Sequence, residues 1–221
     1  MTHFTDEPRL PVIDLSQFEV GSTWRDHVAA QVDWAATEFG IFRVAHHGID
    51  SDLIDSFGSL SRRFAERDSA AERGRLPGFR DVVRDYSREL KGLAHRLMTS
   101  FARGLRLDDT YFVDRYTGDV ASRLQIECGP SDPTRQTGSL LTLLHQDELT
   151  ELEVRHGDRT IAVPHVSGAL ICAVGDALES LSGRRYTRAQ YRLLGPAGRA
   201  AVVMPFHFGT GLGPLESARA A

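Results

Sequence analysis

The stretch Leu140 to Val154, LLTLLHQDELTELEV, decides how the rest of the chain is read. Its apolar residues run together at Leu140, Leu141, Leu143 and Leu144, then recur at Leu149, Leu152 and Val154. A short apolar run, a polar Gln-Asp-Glu corner and a second run read as strand, turn and strand. Helix is the competing reading, because Leu and Glu are good helix formers. Gly157-Asp158 favours the strand, since that pair punctuates like a hairpin turn. Further strands are expected at Thr160 to Val163, Gly168 to Val174, Tyr186 to Leu194 and Ala200 to Phe208. Short strands at such intervals suit a β-sandwich or barrel.

Upstream the signals change to helix. Pro11 to Leu15 and Ile41 to Ala45 read as strands, each followed by a helical pattern. Ser22-Thr23 can cap the first helix, which stops at Gly40. Asp50 or Ser51 opens a second helix to about Ala65, and residues 66–76 read as a linker. The longest helix starts at Pro77-Gly78-Phe79 and runs to about Leu105, with Tyr86, Leu90, Leu93, Leu97 and Phe101 near helical spacing. Asp108 caps a short helix over Thr110 to Tyr116, and the β-rich half begins after Gly118. Helices first and strands second predict one α+β domain over 1–221, mainly helical over 1–117 and β-rich over 118–221.

Bulk properties remove several function classes. Net charge is −4 with no basic run, so nucleic acid is not an expected partner. No apolar stretch is long enough to span a membrane, and the N-terminus shows no secretory signal. Cys128 and Cys172 have neither metal nor redox spacing, which suits a reducing, cytoplasmic setting.

With PVIDL, a helix, FGIFRVAHHGI and a helix ending in RRFAE, the first half resembles the isopenicillin N synthase-like enzymes. These belong to the iron(II)/2-oxoglutarate-dependent dioxygenases. The stretch from LLTLLHQDE through the Gly175-Asp176 pair and the Tyr186/Arg192 frame to AVVMPFHF is similar as well. The resemblance implies a double-stranded β-helix, a jelly roll with helices outside. The family carries a longer segment where this chain has 66–76. It also implies an iron site made by a His-x-Asp pair and a distant His. Counted in register, those positions fall on Arg135-Gln136-Thr137 and Tyr191. The Arg-x-Ser that anchors 2-oxoglutarate falls on Ala201-Val202-Val203, and the Asn-x-Tyr on Gln125-Ile126-Glu127.

Strand alternation then sorts the faces. Arg123, Gln125 and Glu127 share one face, expected to be the lumen, and Leu124, Ile126 and Cys128 the other. Ala201, Val203, Pro205 and His207 should point inward, as should Thr142, Leu144 and Gln146, with His145 outward. The expected catalytic set is Glu127, His207, Tyr191 and Arg135, with Arg123, Gln125, Thr137, Leu144 and Gln146 around the substrate. A Glu127–Arg135 ion pair replacing the metal structurally is the alternative reading. From these substitutions the expectation is a non-oxidative enzyme without metal or other cofactor, performing cyclisation, isomerisation or elimination on a small biosynthetic intermediate. Two alternatives stand beside it: an inactive pseudo-oxygenase acting as a binding or scaffold partner, in a homodimer or with a partner enzyme, and an oxygenase with an unusual metal site using His145, Asp147 or His207. His46-His47 reads as a structural strand end, His165 as a solvated loop residue, and Gly209 to Gly213 as a weak nucleotide-loop look-alike without its helix.

Overall fold

A computed structural model describes residues 9–18, 21–67, 76–116, 122–128, 138–146, 150–194 and 202–209, with backbone alone at 127, 128, 202 and 203. Three helices carry the first half: α1 (Ser22–Glu38), α2 (Ser51–Ala65) and α3 (Phe79–Gly104), followed by the short α4 (Tyr111–Tyr116). Strands β1 (Val12–Asp14) and β2 (Ile41–Ala45) alternate with them. The second half supplies β3 (Arg123–Leu124), β4 (Glu127–Cys128), β5 (Leu141–His145), β6 (Glu151–His156), β7 (Arg159–Val163), β8 (Leu170–Val174), α5 (Asp176–Leu181), β9 (Tyr191–Leu194) and β10 (Val202–Phe208).

Two sheets form. The major sheet runs β1-β2-β8-β5-β10-β3, with β4 also on β10, and the minor sheet runs β7-β6-β9. The helices cover one face of the major sheet. Phe42, Val44, Leu141, Leu143, Leu170, Cys172, Met204, Phe206 and Phe208 meet Val32, Leu93, Leu97 and Phe101 there in one core. Residues of opposite parity face the minor sheet. Leu144, Ile171 and Ala173 pack with Leu152, Val154, Val163 and Leu193 in a second core. Period-two alternation feeds both cores at once, so β5 and β8 are apolar on both faces.

Local chemistry sets the boundaries. Asp50 caps α2 as expected, its Oδ1 accepting from the Asp52 N–H at 2.8 Å. The α1 start differs: Gly21 occupies the cap position without a side-chain bond, and Ser22 lies inside the helix. The strand expected from Tyr186 begins only at Tyr191. Tyr186 is instead a buried anchor whose hydroxyl contacts Asp33 Oδ1 and the Phe101 carbonyl, each at 3.1 Å. Helix α5 was not anticipated, since six residues leave little periodicity. Gly175 precedes it because a Cβ there would lie 2.0 Å from the Ser139 carbonyl oxygen. Of residues 66–76, positions 68–75 lie outside the described residues. Among the described residues no helix is long and apolar enough to cross a membrane.

Candidate functional site

The space between the sheets has a tied end and an opposite end. At the tied end, Gln146 Nε2 donates to the Thr150 and Val163 carbonyls at 3.0 and 3.1 Å. Arg43 Nη2 donates to the neighbouring Pro164 carbonyl. Val163 pairs with Leu152, and Leu152 with Leu193, so the apolar second core fills this end. At the opposite end the major sheet presents Thr142 and His207, while the minor sheet presents Tyr191, paired with Val154.

Cross-strand partners lay out the inner face of the major sheet in rows. The first row runs Arg123, His207, Thr142, Ala173 and Ile41. In the next, Pro205, Leu144, Ile171 and Arg43 are partners, and the Gln125 N–H donates to the Pro205 carbonyl at 2.9 Å. Glu127 lies opposite Val203 one row further along. Polar groups therefore gather at the β3–β10–β5 side, and apolar ones toward β8.

His207 and Thr142 are the best-defined pair. His207 Nδ1 and Thr142 Oγ1 are 2.9 Å apart, and both residues are buried, at 7% and 5% exposure. Burying two polar side chains is tolerable because each satisfies the other. Arg123 stands beside them in register and is exposed. Tyr191 is half-buried and packs against the second core.

Several expected site residues have other roles. Gln146 is buried at 3%, and its amide is committed to backbone carbonyls that tie the sheets together. Leu144 is a packed member of the second core at 1% exposure. Glu127 is four residues along β10 from the His207 row. At 3.3 Å per residue this separates their Cα rows by about 13 Å, so they do not form one acid–base couple in register. The Glu127 side chain, Arg135, Thr137 and Asp147 lie outside what the structure describes.

Parity separates His145 from His207, two residues named for the unusual metal site. His145 pairs with Met204 on the helix-covered face, and a Cβ at Gly58 of α2 would lie 3.5 Å from its Nε2. His207 pairs with Thr142 and faces the lumen. One ion cannot reach both through the sheet. His156 shares the inner face of β6 but is stacked on Phe39 at 4.7 Å. His47 is structural, as expected: its Nδ1 accepts from the Ile49 N–H at 3.2 Å, and burial pulls its pKa down. Burial pushes the Cys172 thiol up, out of the reactive range. Sequence reasoning missed Arg43, a buried guanidinium whose pKa burial lowers and whose Nε has no partner among the described residues. Its only signal was a charge inside an apolar strand.

Residues 10–109 match the family described as the non-haem dioxygenase in morphine synthesis N-terminal, and residues 127–207 match the 2OG-Fe(II) oxygenase superfamily. The chain belongs to the 2OG-Fe(II) oxygenase superfamily. Among similar proteins, a probable iron/ascorbate oxidoreductase of Dictyostelium discoideum is 23% identical over 90% of this chain and 81% of its own length. A 1-aminocyclopropane-1-carboxylate oxidase of Dictyostelium mucoroides is 21% identical over 91% and 82%. The solved structure of JOX2 in complex with 2OG, Fe and JA covers 92% of this chain and 76% of that one, with 20% identity and a TM-score of 0.78. The dioxygenase for auxin oxidation 1 from Arabidopsis thaliana, solved with 2-oxoglutarate, covers 94% and 96%, with 17% identity and a TM-score of 0.73. The jelly-roll core with flanking helices is thereby shown.

These findings correct the functional expectation. The relatives are named as oxidases, dioxygenases and oxidoreductases, and several of their structures hold 2OG. A non-oxidative, metal-independent cyclase, isomerase or lyase is contradicted, and nothing among the relatives supports the inactive-scaffold alternative. The expectation failed because it inferred a change of reaction class from substituted positions alone.

Proposed function

We propose that the chain is an oxidoreductase that takes a small organic molecule into the end of its jelly roll framed by Arg123, Thr142, His207 and Tyr191. Oxidative relatives matching across both halves support the reaction class. The buried His207–Thr142 pair on the inner face of the major sheet, with Arg123 beside it in register, is the observation that supports the site.

The family's iron asks for two imidazoles and a carboxylate with open positions beside them. The described residues alone do not supply that set, and residues 129–137 and 147–149 lie outside them. No group of three His, Cys, Asp or Glu among the described residues could hold a metal. No histidine stands between His95 and His145 in the sequence. No step is therefore routed through iron.

The chain's own residues supply the following. The Thr142–His207 contact restrains the imidazole on the inner face of the major sheet. Tyr191 adds a flat apolar wall with a phenolic tip.

The test supplies iron(II), 2-oxoglutarate and dioxygen with a panel of small aromatic and heterocyclic compounds, and compares air with argon. Dioxygen-dependent conversion of a panel member supports the proposal. Conversion at the same rate under argon would contradict it.

A further inference from the structure

Among the described residues, one cation stands in register with His207 on the inner face of the major sheet. Arg123 lies directly opposite His207 across the β3–β10 pair, exposed, with no carboxylate partner among those residues. The acidic residues of the facing sheet do not answer it. Glu151 and Glu153 alternate to the outer face of β6, where Glu153 Oε2 pairs with Arg192 Nη2 at 2.5 Å. Glu127 is two rows deeper in register. A guanidinium fork beside a fixed imidazole and a hydroxyl suits a planar anion, because two parallel N–H groups match the two carboxylate oxygens.

We infer that Arg123 docks a carboxylate borne by the lumen ligand, so that the chain takes a small organic acid whose apolar body points toward Tyr191. This rests on the proposed small-molecule site and adds the ligand's charge class. The alternative is a solvated surface arginine that touches no ligand.

Titration calorimetry of the full chain with benzoate, and separately with its neutral counterpart benzamide, decides between them. The expected result is benzoate binding about tenfold or more tightly than benzamide, the increment of one charge-assisted contact. Arg123→Gln should erase that preference, Arg123→Lys should keep part of it, and Arg84→Gln, an exposed arginine of α3 beside Asp81, should leave it intact. Because Arg123 is exposed, its variants should melt like the parent. Equal binding of the two probes, no binding of either, or a preference that survives Arg123→Gln would overturn the carboxylate assignment. The small-molecule reading is judged separately, by dioxygen-dependent turnover.

Discussion

Thr142 Oγ1 and His207 Nδ1 meet at 2.9 Å between residues sixty-five apart in sequence, on paired antiparallel strands, with both side chains buried. Thr142→Val keeps the shape and removes the hydroxyl that meets a buried imidazole nitrogen. The expected loss is about 1–3 kcal/mol of stability, read as a lower urea midpoint at unchanged slope. Thr142→Ser, which keeps the hydroxyl, should recover most of it.

Gln146 gives a second stability test. Gln146→Leu strips hydrogen bonds from the Thr150 and Val163 carbonyls at the tied end. We expect about 2 kcal/mol or more of destabilisation. Amide exchange should also become faster across β6 and β7 before it does in the major sheet.

Two glycines stand where a side chain cannot. A Cβ at Gly40, whose φ is +68°, would lie 2.2 Å from the Thr187 carbonyl oxygen, and one at Gly175 would lie 2.0 Å from that of Ser139. Gly40→Ala combines backbone strain with a backbone clash, so soluble yield should collapse. Gly92→Ala, where nothing lies within 4 Å, should be neutral or mildly stabilising by about 0.5–1 kcal/mol in mid-helix.

His47 predicts the pH dependence. Burial lowers its folded-state pKa, with Arg96 and His46 adding repulsion, while the unfolded chain should titrate near about 6.5. Between those values the unfolded state binds more protons, so stability rises with pH there. Stability should therefore be full above the unfolded pKa and fall as the pH drops below it toward the folded value. His95, lowered by burial and then by Lys91, acts in the same direction. Urea midpoints at pH 7.5 and 5.5 should differ less in His47→Asn than in the parent.

Much of the fold was legible because β6 alternates with period two, β5 and β10 are short apolar runs, and α3 repeats with helical spacing. The inward parity of His207 and the outward parity of His145 follow from the same rule, and the pairing with Thr142 and Met204 agrees with it. What alternation cannot show is the partner. Gln146 and His207 both read as polar residues facing inward, yet one is tied to carbonyls of the facing sheet and the other to a hydroxyl on the next strand. Tyr186 read as strand because aromatic residues favour strands, whereas its place is set by the distant Asp33 and Phe101. The reaction class was misjudged because ligand positions counted along the chain say nothing of the chemistry shared by the relatives.

The most direct test follows conversion of a small organic compound by mass spectrometry with iron(II) and 2-oxoglutarate present, in air and under argon, for the parent and for His207→Ala. The account requires a product that forms in air, fails to form under argon and is strongly reduced in the variant. A product that forms equally with and without dioxygen, or that is untouched by removing His207, would contradict it.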